Sequence, residues 1–257
     1  MSIPARVAVV TGVGRRVGIG AAICRELARR GIDVMLTYWR LYDDSMDWGA
    51  DSEMPQALLD ELARLGVRSA ATEIDLSAPD APQALLDTTE RDLGRPSILV
   101  NNATVSRQTD LQSLTSDDLD AHYAVNLRAT ALLCVEMARR HPTEQSGRIV
   151  NITSGQSLGP MPDELAYAAT KGAIEALTVS LAPPLAERGI TINAVNPGPT
   201  ETGWISDELR ERLLRRAPAG RLGAPEDCAR LVAFLVSDEA GWITGQVIHS
   251  EGGFIRG

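Results

Sequence analysis

The strongest constraint on this chain is a repeated alternation between two hydrophobic periods. Short β-branched or continuously apolar runs stand at 6–10 (RVAVV), 33–39 (DVMLTYW), 69–75 (SAATEID), 97–101 (SILVN), 147–153 (GRIVNIT), 190–195 (ITINAV) and 246–249 (QVIH). Between them the apolar residues recur at helical spacing, as with Ile23, Leu27 and Ala28 before Gly31, or Leu58, Leu59, Leu62 and Leu65. Parallel strands need crossover helices, and the crossovers are right-handed. Six such alternations and a last strand therefore predict an α/β fold: one doubly wound parallel sheet of about seven strands, with helices on both faces. Further helices are expected over Ala84–Leu93, over Asp117–Arg140 as one or two pieces, over Ala166–Arg188 with a break or kink at Pro183 and Pro184, over Trp204–Arg216 and over Ala224–Val236.

The chain has 257 residues, enough for one large domain, and no repeat or linker-like stretch divides it. A net charge of −9 lacks the broad basic footprint of a nucleic-acid binder. Cys24, Cys134 and Cys228 are far apart and odd in number, and His122, His141 and His249 have no ligand spacing, so neither a disulfide framework nor a metal site is expected. MSIPARVAVVTG runs straight into a strand and no apolar run is long enough to span a bilayer, so a cytoplasmic location is expected.

In a doubly wound sheet, ligands gather at the C-terminal strand ends. Gly12, Asp75, Asn102, Ser154 and Pro197 all fall at such ends in this reading. The turn TGVGRRVGIG, 11–20, lies between a strand and a helix, with Gly12, Gly18 and Gly20 as the glycines that let backbone N–H groups approach a phosphate. Arg15 and Arg16 in the same turn either face a cofactor phosphate or sit solvated on a loop rim. Tyr38 and Trp39, then Arg40, stand where an acid would select the unphosphorylated ribose, which favours NADP over NAD. Five acids of the insert 41–53 (Asp43, Asp44, Asp47, Asp51 and Glu53) temper that choice if they fold over the adenosine; otherwise the insert is a solvated loop. Asp75 either binds the adenine or caps the next helix. Tyr167 and Lys171 are four apart and share a helix face. An ammonium beside a phenol is expected to lower a pKa that starts near ~10, and a tyrosine so tuned exchanges a proton near neutral pH.

The motifs TGVGRRVGIG, Asp75, NNA at 101–103, Asn126, Ser154, YAATK at 167–171, NPGPTET at 196–202 and ITGQVIHSEGG near the end together resemble the short-chain dehydrogenase/reductase family over nearly the whole chain, with the layout of its 3-oxoacyl-(acyl-carrier-protein) reductase branch. The chain departs from the family pattern by two extra residues in the glycine turn, Thr104 for a glycine, and Ser250–Glu251 before the final glycines. The resemblance implies a Rossmann-type fold over 1–257, with a substrate-loop segment at about 200–223. It implies Tyr167 as general acid or base, Lys171 lowering its pKa and holding the nicotinamide ribose, Ser154 bonding the substrate oxygen, and Asn126 perturbing its helix and completing a water relay to Lys171. Cofactor contacts are expected from Gly12, Arg15, Arg16, Gly18, Ile19, Gly20, Asp75, Leu76, Asn102, Ala103, Tyr167, Lys171, Pro197, Gly198, Thr200 and Thr202. The implied activity is hydride transfer between a nicotinamide and a carbonyl or alcohol carbon. NADPH-dependent reduction of a ketone such as a 3-oxoacyl thioester leads. An NAD-dependent alcohol or polyol dehydrogenase and a non-catalytic dinucleotide-binding sensor or subunit are the alternatives. The family's pairing helices imply a homotetramer or homodimer, with Leu132, Leu133, Leu177 and Val179 as candidate outer residues.

Overall fold

The computed structural model describes residues 6–256; the leading MSIPA lies outside the described residues. Seven parallel strands form one sheet in the order β3-β2-β1-β4-β5-β6-β7. They are β1 (Val7–Val10), β2 (Asp33–Tyr38), β3 (Ser69–Glu73), β4 (Ile98–Asn101), β5 (Gly147–Ile152), β6 (Ile190–Asn196) and β7 (Val247–His249). Side chains alternate between the faces of a strand, and β1 displays this directly. Ala8 and Val10 join one apolar core with α1 (Ile19–Arg29), α3 (Gln56–Arg64) and α9 (Pro225–Leu235). Val7 and Val9 join the other core, with α4 (Ala81–Asp92), α6 (Thr130–Arg140) and α7 (Leu165–Ala186). The five inner strands are covered on both faces, which is why they read as continuous apolar runs; the edge strands β3 and β7 are only partly buried.

The stretch 116–140 is one continuous helical rod in three parts: α5 (Ser116–His122), a π-helical segment (Tyr123–Ala129) and α6. α7 runs through Pro183 and Pro184 without the expected interruption and ends two residues later, at Ala186. Each proline deletes one N–H bond, and the carbonyls so released, of Val179 and Ser180, belong to exposed residues that water can serve. The insert after β2 is not a plain solvated loop. It opens with a short helix, α2 (Arg40–Asp44), and buries Asp43, while Asp44, Asp47 and Glu53 stay exposed. α8 (Asp207–Leu214) is shorter than the expected 204–216 helix and buries none of its residues. Among the described residues no helix is long and apolar enough to cross a membrane, and no His, Cys, Asp or Glu cluster has metal-site geometry.

The strand order reverses between β1 and β4, which are neighbours in space but separated by two strands in sequence. The turns after those two strands therefore line the crevice where a doubly wound sheet takes its ligand.

Candidate active site

The crevice floor is stitched by Thr11. Its Oγ1 accepts from the N–H groups of Asn102 and Ala103, both at 3.0 Å. Asn102 answers through Nδ2, which donates to the carbonyls of Thr11 (2.8 Å) and Gly12 (2.9 Å). The two turns are so close that a Cβ on Gly12 would lie 2.5 Å from Ala103 Cα, and φ there is +71°, a region that favours glycine. A Cβ on Gly20 would lie 2.8 Å from Asn102 Nδ2. At the start of α1, Gly18 provides no side-chain cap, so first-turn N–H groups are left to an anion. This glycine cradle over an uncapped helix end fits a dinucleotide pyrophosphate. Thr104 occupies the glycine position of the family pattern without strain, since no described non-glycine residue has positive φ.

Other predicted cofactor positions divide. The Ile19 side chain, at the start of α1, packs on one core, and the Leu76 side chain is buried in the opposite one. Asp75 Oδ1 accepts from Ser77 N–H at 2.8 Å, an Asx turn beyond β3 and not a cap on α4. After β6, Thr200 Oγ1 donates to the Gly198 carbonyl at 3.0 Å, and Thr202 is buried. Pro197 and Gly198 lie beside Glu251, whose carboxylate accepts from Asn196 Nδ2 (2.9 Å) and Arg256 (2.7 Å). Arg15 donates to the Thr202 carbonyl at 2.7 Å and lies 4.2 Å from the Trp48 ring centroid. Arg16 makes ion pairs with Asp51 (3.4 Å) and Glu53 (3.3 Å) of the insert.

Ser154, Tyr167 and Lys171 meet at the end of β5. The Ser154 hydroxyl lies near enough to the Tyr167 phenol to favour its charged form, and Lys171 Nζ lies 5.4 Å from the Tyr167 ring centroid. Lys171 is almost fully buried and donates to the Ile152 carbonyl at 2.8 Å. The expected direction of tuning is reversed. Burial pushes the Tyr167 phenol up, the neighbouring Glu164 carboxylate pushes the same way, and the nearby Ser154 hydroxyl only partly offsets them. Burial pushes the Lys171 ammonium down, to about 7. Removal from water penalises each charged form, and the ammonium spends its hydrogen bond on a neutral carbonyl. Both shifts favour the neutral forms, the phenol and the amine.

Asn126 sits in the π-helical segment and is fully buried. Its Oδ1 accepts from Val105 N–H (2.7 Å), and its Nδ2 donates to the Val105 carbonyl (3.0 Å) and to Thr170 Oγ1 (3.0 Å). The perturbed helix is as expected; the side chain itself ties the crevice loop to the residue before Lys171. Sequence reasoning left Thr11, Thr170, Tyr42, Glu164 and Arg256 off the site. Thr11 and Thr170 lie inside motifs already singled out. Glu164 was visible only as the residue one turn before Tyr167. For Tyr42 the sole signal was the length of the insert.

The likeness to known proteins agrees with this geometry. Residues 12–255 match the family described as enoyl-(acyl carrier protein) reductase. The oxidoreductase YjdA of Bacillus subtilis is 52% identical over 254 residues, 98% of each chain. The 3-oxoacyl-(acyl-carrier-protein) reductase FabG of Staphylococcus aureus is 36% identical over 250 residues, 96% of each. Among solved structures, a short-chain dehydrogenase/reductase of Serratia marcescens superimposes with a TM-score of 0.85 at 33% identity, covering 96% of this chain and 98% of that one. A blue fluorescent protein from a metagenomic library, solved in complex with NADPH, gives 0.85 at 32% identity and 97% of each chain. Sheet order, glycine cradle and full-length similarity lead to one conclusion: this chain is an oxidoreductase of the short-chain dehydrogenase/reductase family.

Proposed function

We propose that this protein is an NADPH-dependent carbonyl reductase acting on a ketone such as a 3-oxoacyl thioester, with its whole chain forming one nucleotide-binding and catalytic domain. The observation that carries the reading is the meeting of Ser154, Tyr167 and Lys171 beside the Gly12–Gly20 cradle. A bound nicotinamide would supply the hydride. The cradle glycines, the first turn of α1, Asn102, Ala103 and the Pro197–Thr202 turn would hold that cofactor. Ser154 bonds the substrate oxygen and orients it, an oxyanion-type role. Tyr167 gives its proton to that oxygen as negative charge builds there. Lys171, buried beneath, stabilises the phenolate that results, and Asn126 fixes the loop and the helix turn on either side. A general acid must carry its proton before the step, and burial favours that form of Tyr167. Arg40, just beyond β2, supports NADPH, as does the NADPH bound to the metagenomic protein, and the name of the Staphylococcus relative supports a 3-oxoacyl substrate.

One observation favours a second reading. The buried Asp43 carboxylate lies against Gly14 of the cradle and would repel a 2′-phosphate, as suits an NAD-linked alcohol or polyol dehydrogenase. An acetoacetyl thioester and a panel of simple ketones, each offered with NADPH and with NADH and followed at the nicotinamide absorbance band, test both. Faster loss of NADPH upholds the first reading, and tighter binding of NAD than of NADP overturns it. We further propose a cytoplasmic homotetramer or homodimer. Leu132 and Val179 are exposed on α6 and α7 as such an interface requires, whereas Leu133 belongs to the core and is withdrawn from it. A monomeric mass by light scattering overturns the assembly.

A further inference from the structure

The insert after β2 takes no part in the chemistry above, yet it reaches the reaction centre. The loop leading from Asn102–Ala103 towards α7 is held by side chains at successive N–H groups. Val105 donates to Asn126 Oδ1 at 2.7 Å, Ser106 to Tyr42 Oη at 3.1 Å, and Arg107 to His122 Nε2 at 3.2 Å. Asn126 and His122 come from the helical rod behind the loop. Tyr42 comes from α2, beyond the end of β2, on the far side of the β1 and β4 turns. Further along the same loop, Thr109 N–H donates to the Asp163 carbonyl (2.9 Å), Leu165 N–H donates to the Thr109 carbonyl (2.8 Å), and Thr109 Oγ1 accepts from Ala166 N–H (3.1 Å). Ser106 therefore lies between the nucleotide turn and the residue preceding Tyr167.

The insert is secured on the other bank as well. Trp48 Nε1 donates to Asp43 Oδ1 at 3.3 Å, Asp43 lies on Gly14, and Arg15 covers the Trp48 ring while bonding the Thr202 carbonyl. Because Tyr42 Oη accepts from Ser106, its own O–H hydrogen is left to donate, and among the described residues no hydrogen bond takes it.

We propose that Tyr42 is a ligand-positioning residue of the reaction centre: carried across the nucleotide crevice by the segment 40–48, it presents its hydroxyl hydrogen to a carbonyl or hydroxyl oxygen of the substrate beside Tyr167. The inference rests on Tyr167 as the proton donor and extends that reading to a residue outside the Ser–Tyr–Lys–Asn set.

The test is Tyr42→Phe in the full chain, assayed with an acetoacetyl thioester and the preferred reduced nucleotide. One neutral hydrogen bond is worth about tenfold in binding, so KM for the thioester is expected to rise about tenfold. The rate kcat is expected to stay within about threefold and nucleotide affinity, read by tryptophan fluorescence, within about twofold. Tyr42→His, which keeps a ring acceptor for Ser106 and a donor for the substrate, should recover part of the KM loss. An unchanged KM overturns the inference, whether or not thermal stability falls. So does a tenfold loss of nucleotide affinity with KM for the thioester intact, since Tyr42 would then serve the nucleotide. Tyr167→Phe in the same assay separates the two levels: retained turnover there defeats the carbonyl-reductase reading, whereas lost turnover there with an unchanged Tyr42→Phe defeats this inference alone.

Discussion

Two segments border the same crevice and are built in opposite ways. α7 is fixed by burial. Ala166, Thr170, Lys171, Ile174, Thr178, Ala182 and Leu185 are all buried, and its polar members are satisfied inside the protein, Thr178 by the Ile174 carbonyl and Lys171 by the Ile152 carbonyl. The insert 40–53 is fixed mainly by charge at the surface: Arg16 to Asp51 and Glu53, Arg40 to Glu73 at 3.9 Å, and one buried acid under an indole. Exposed pairs of this kind are worth about 0–1 kcal/mol each and weaken with salt. The difference assigns the segments distinct tasks. The buried helix holds its polar groups to a fixed geometry, whereas the insert hangs on weak exposed ion pairs together with the Tyr42–Ser106 and Trp48–Asp43 hydrogen bonds.

That contrast can be broken most forcefully at Tyr167. Tyr167→Phe should lower kcat by about 10²–10⁴-fold, the usual span for a general acid, with nucleotide fluorescence titration unchanged; near-normal turnover would remove the chemistry from α7. Next comes Asn126→Ala, which strands the N–H and carbonyl of Val105 in a buried place. A loss of about 2–4 kcal/mol in urea unfolding is expected, and a loss below about 1 kcal/mol would mean that the loop is held elsewhere.

Lys171 sharpens the comparison through pH. Its folded pKa is about 7, below the ordinary 10.5, so the folded state sheds this proton first. Between about 7 and 10.5 the unfolded state binds more protons at this site, and stability attributable to Lys171 rises with pH across that window. Lys171→Met should flatten the rise in paired denaturation curves at pH 7 and pH 9. If reduction requires the ammonium, wild-type turnover should also decline as pH climbs through about 7; a flat profile there argues that neutral Lys171 suffices. The smallest effect belongs to the insert. Arg16→Ala should change unfolding free energy by less than about 1 kcal/mol while making nucleotide affinity less sensitive to salt. A larger stability loss would show that the insert is as firmly built as α7.

The legible parts of the molecule were those in which local pattern and burial coincide. β1, β2, β4, β5 and β6 announced themselves because both faces are covered, and the glycine turn because Gly12 and Gly20 have no room for a Cβ. Ser154, Tyr167 and Lys171 were legible from spacing, since one helix turn and one strand end suffice to bring them together. Asn126 was legible as a helix perturbation but not as a three-bond clamp, because its partners Val105 and Thr170 are 21 and 44 residues away. The sign of the Tyr167 shift was misread for a related reason. Spacing reveals that a cation is near, and only packing reveals how deeply Lys171 lies.

The chain alone thus determined its sheet, its crevice and the candidate Ser154, Tyr167 and Lys171 cluster, since each depends on residues close in sequence or on a period that repeats along a strand or helix. Tertiary structure decided where the insert lies, that Arg16 pairs with it while Arg15 stays at the crevice, that Tyr42 docks on Ser106, and that burial holds Tyr167 protonated. Those outcomes depend on contacts between segments distant in sequence and on exclusion of water, and neither leaves a period for the sequence to display.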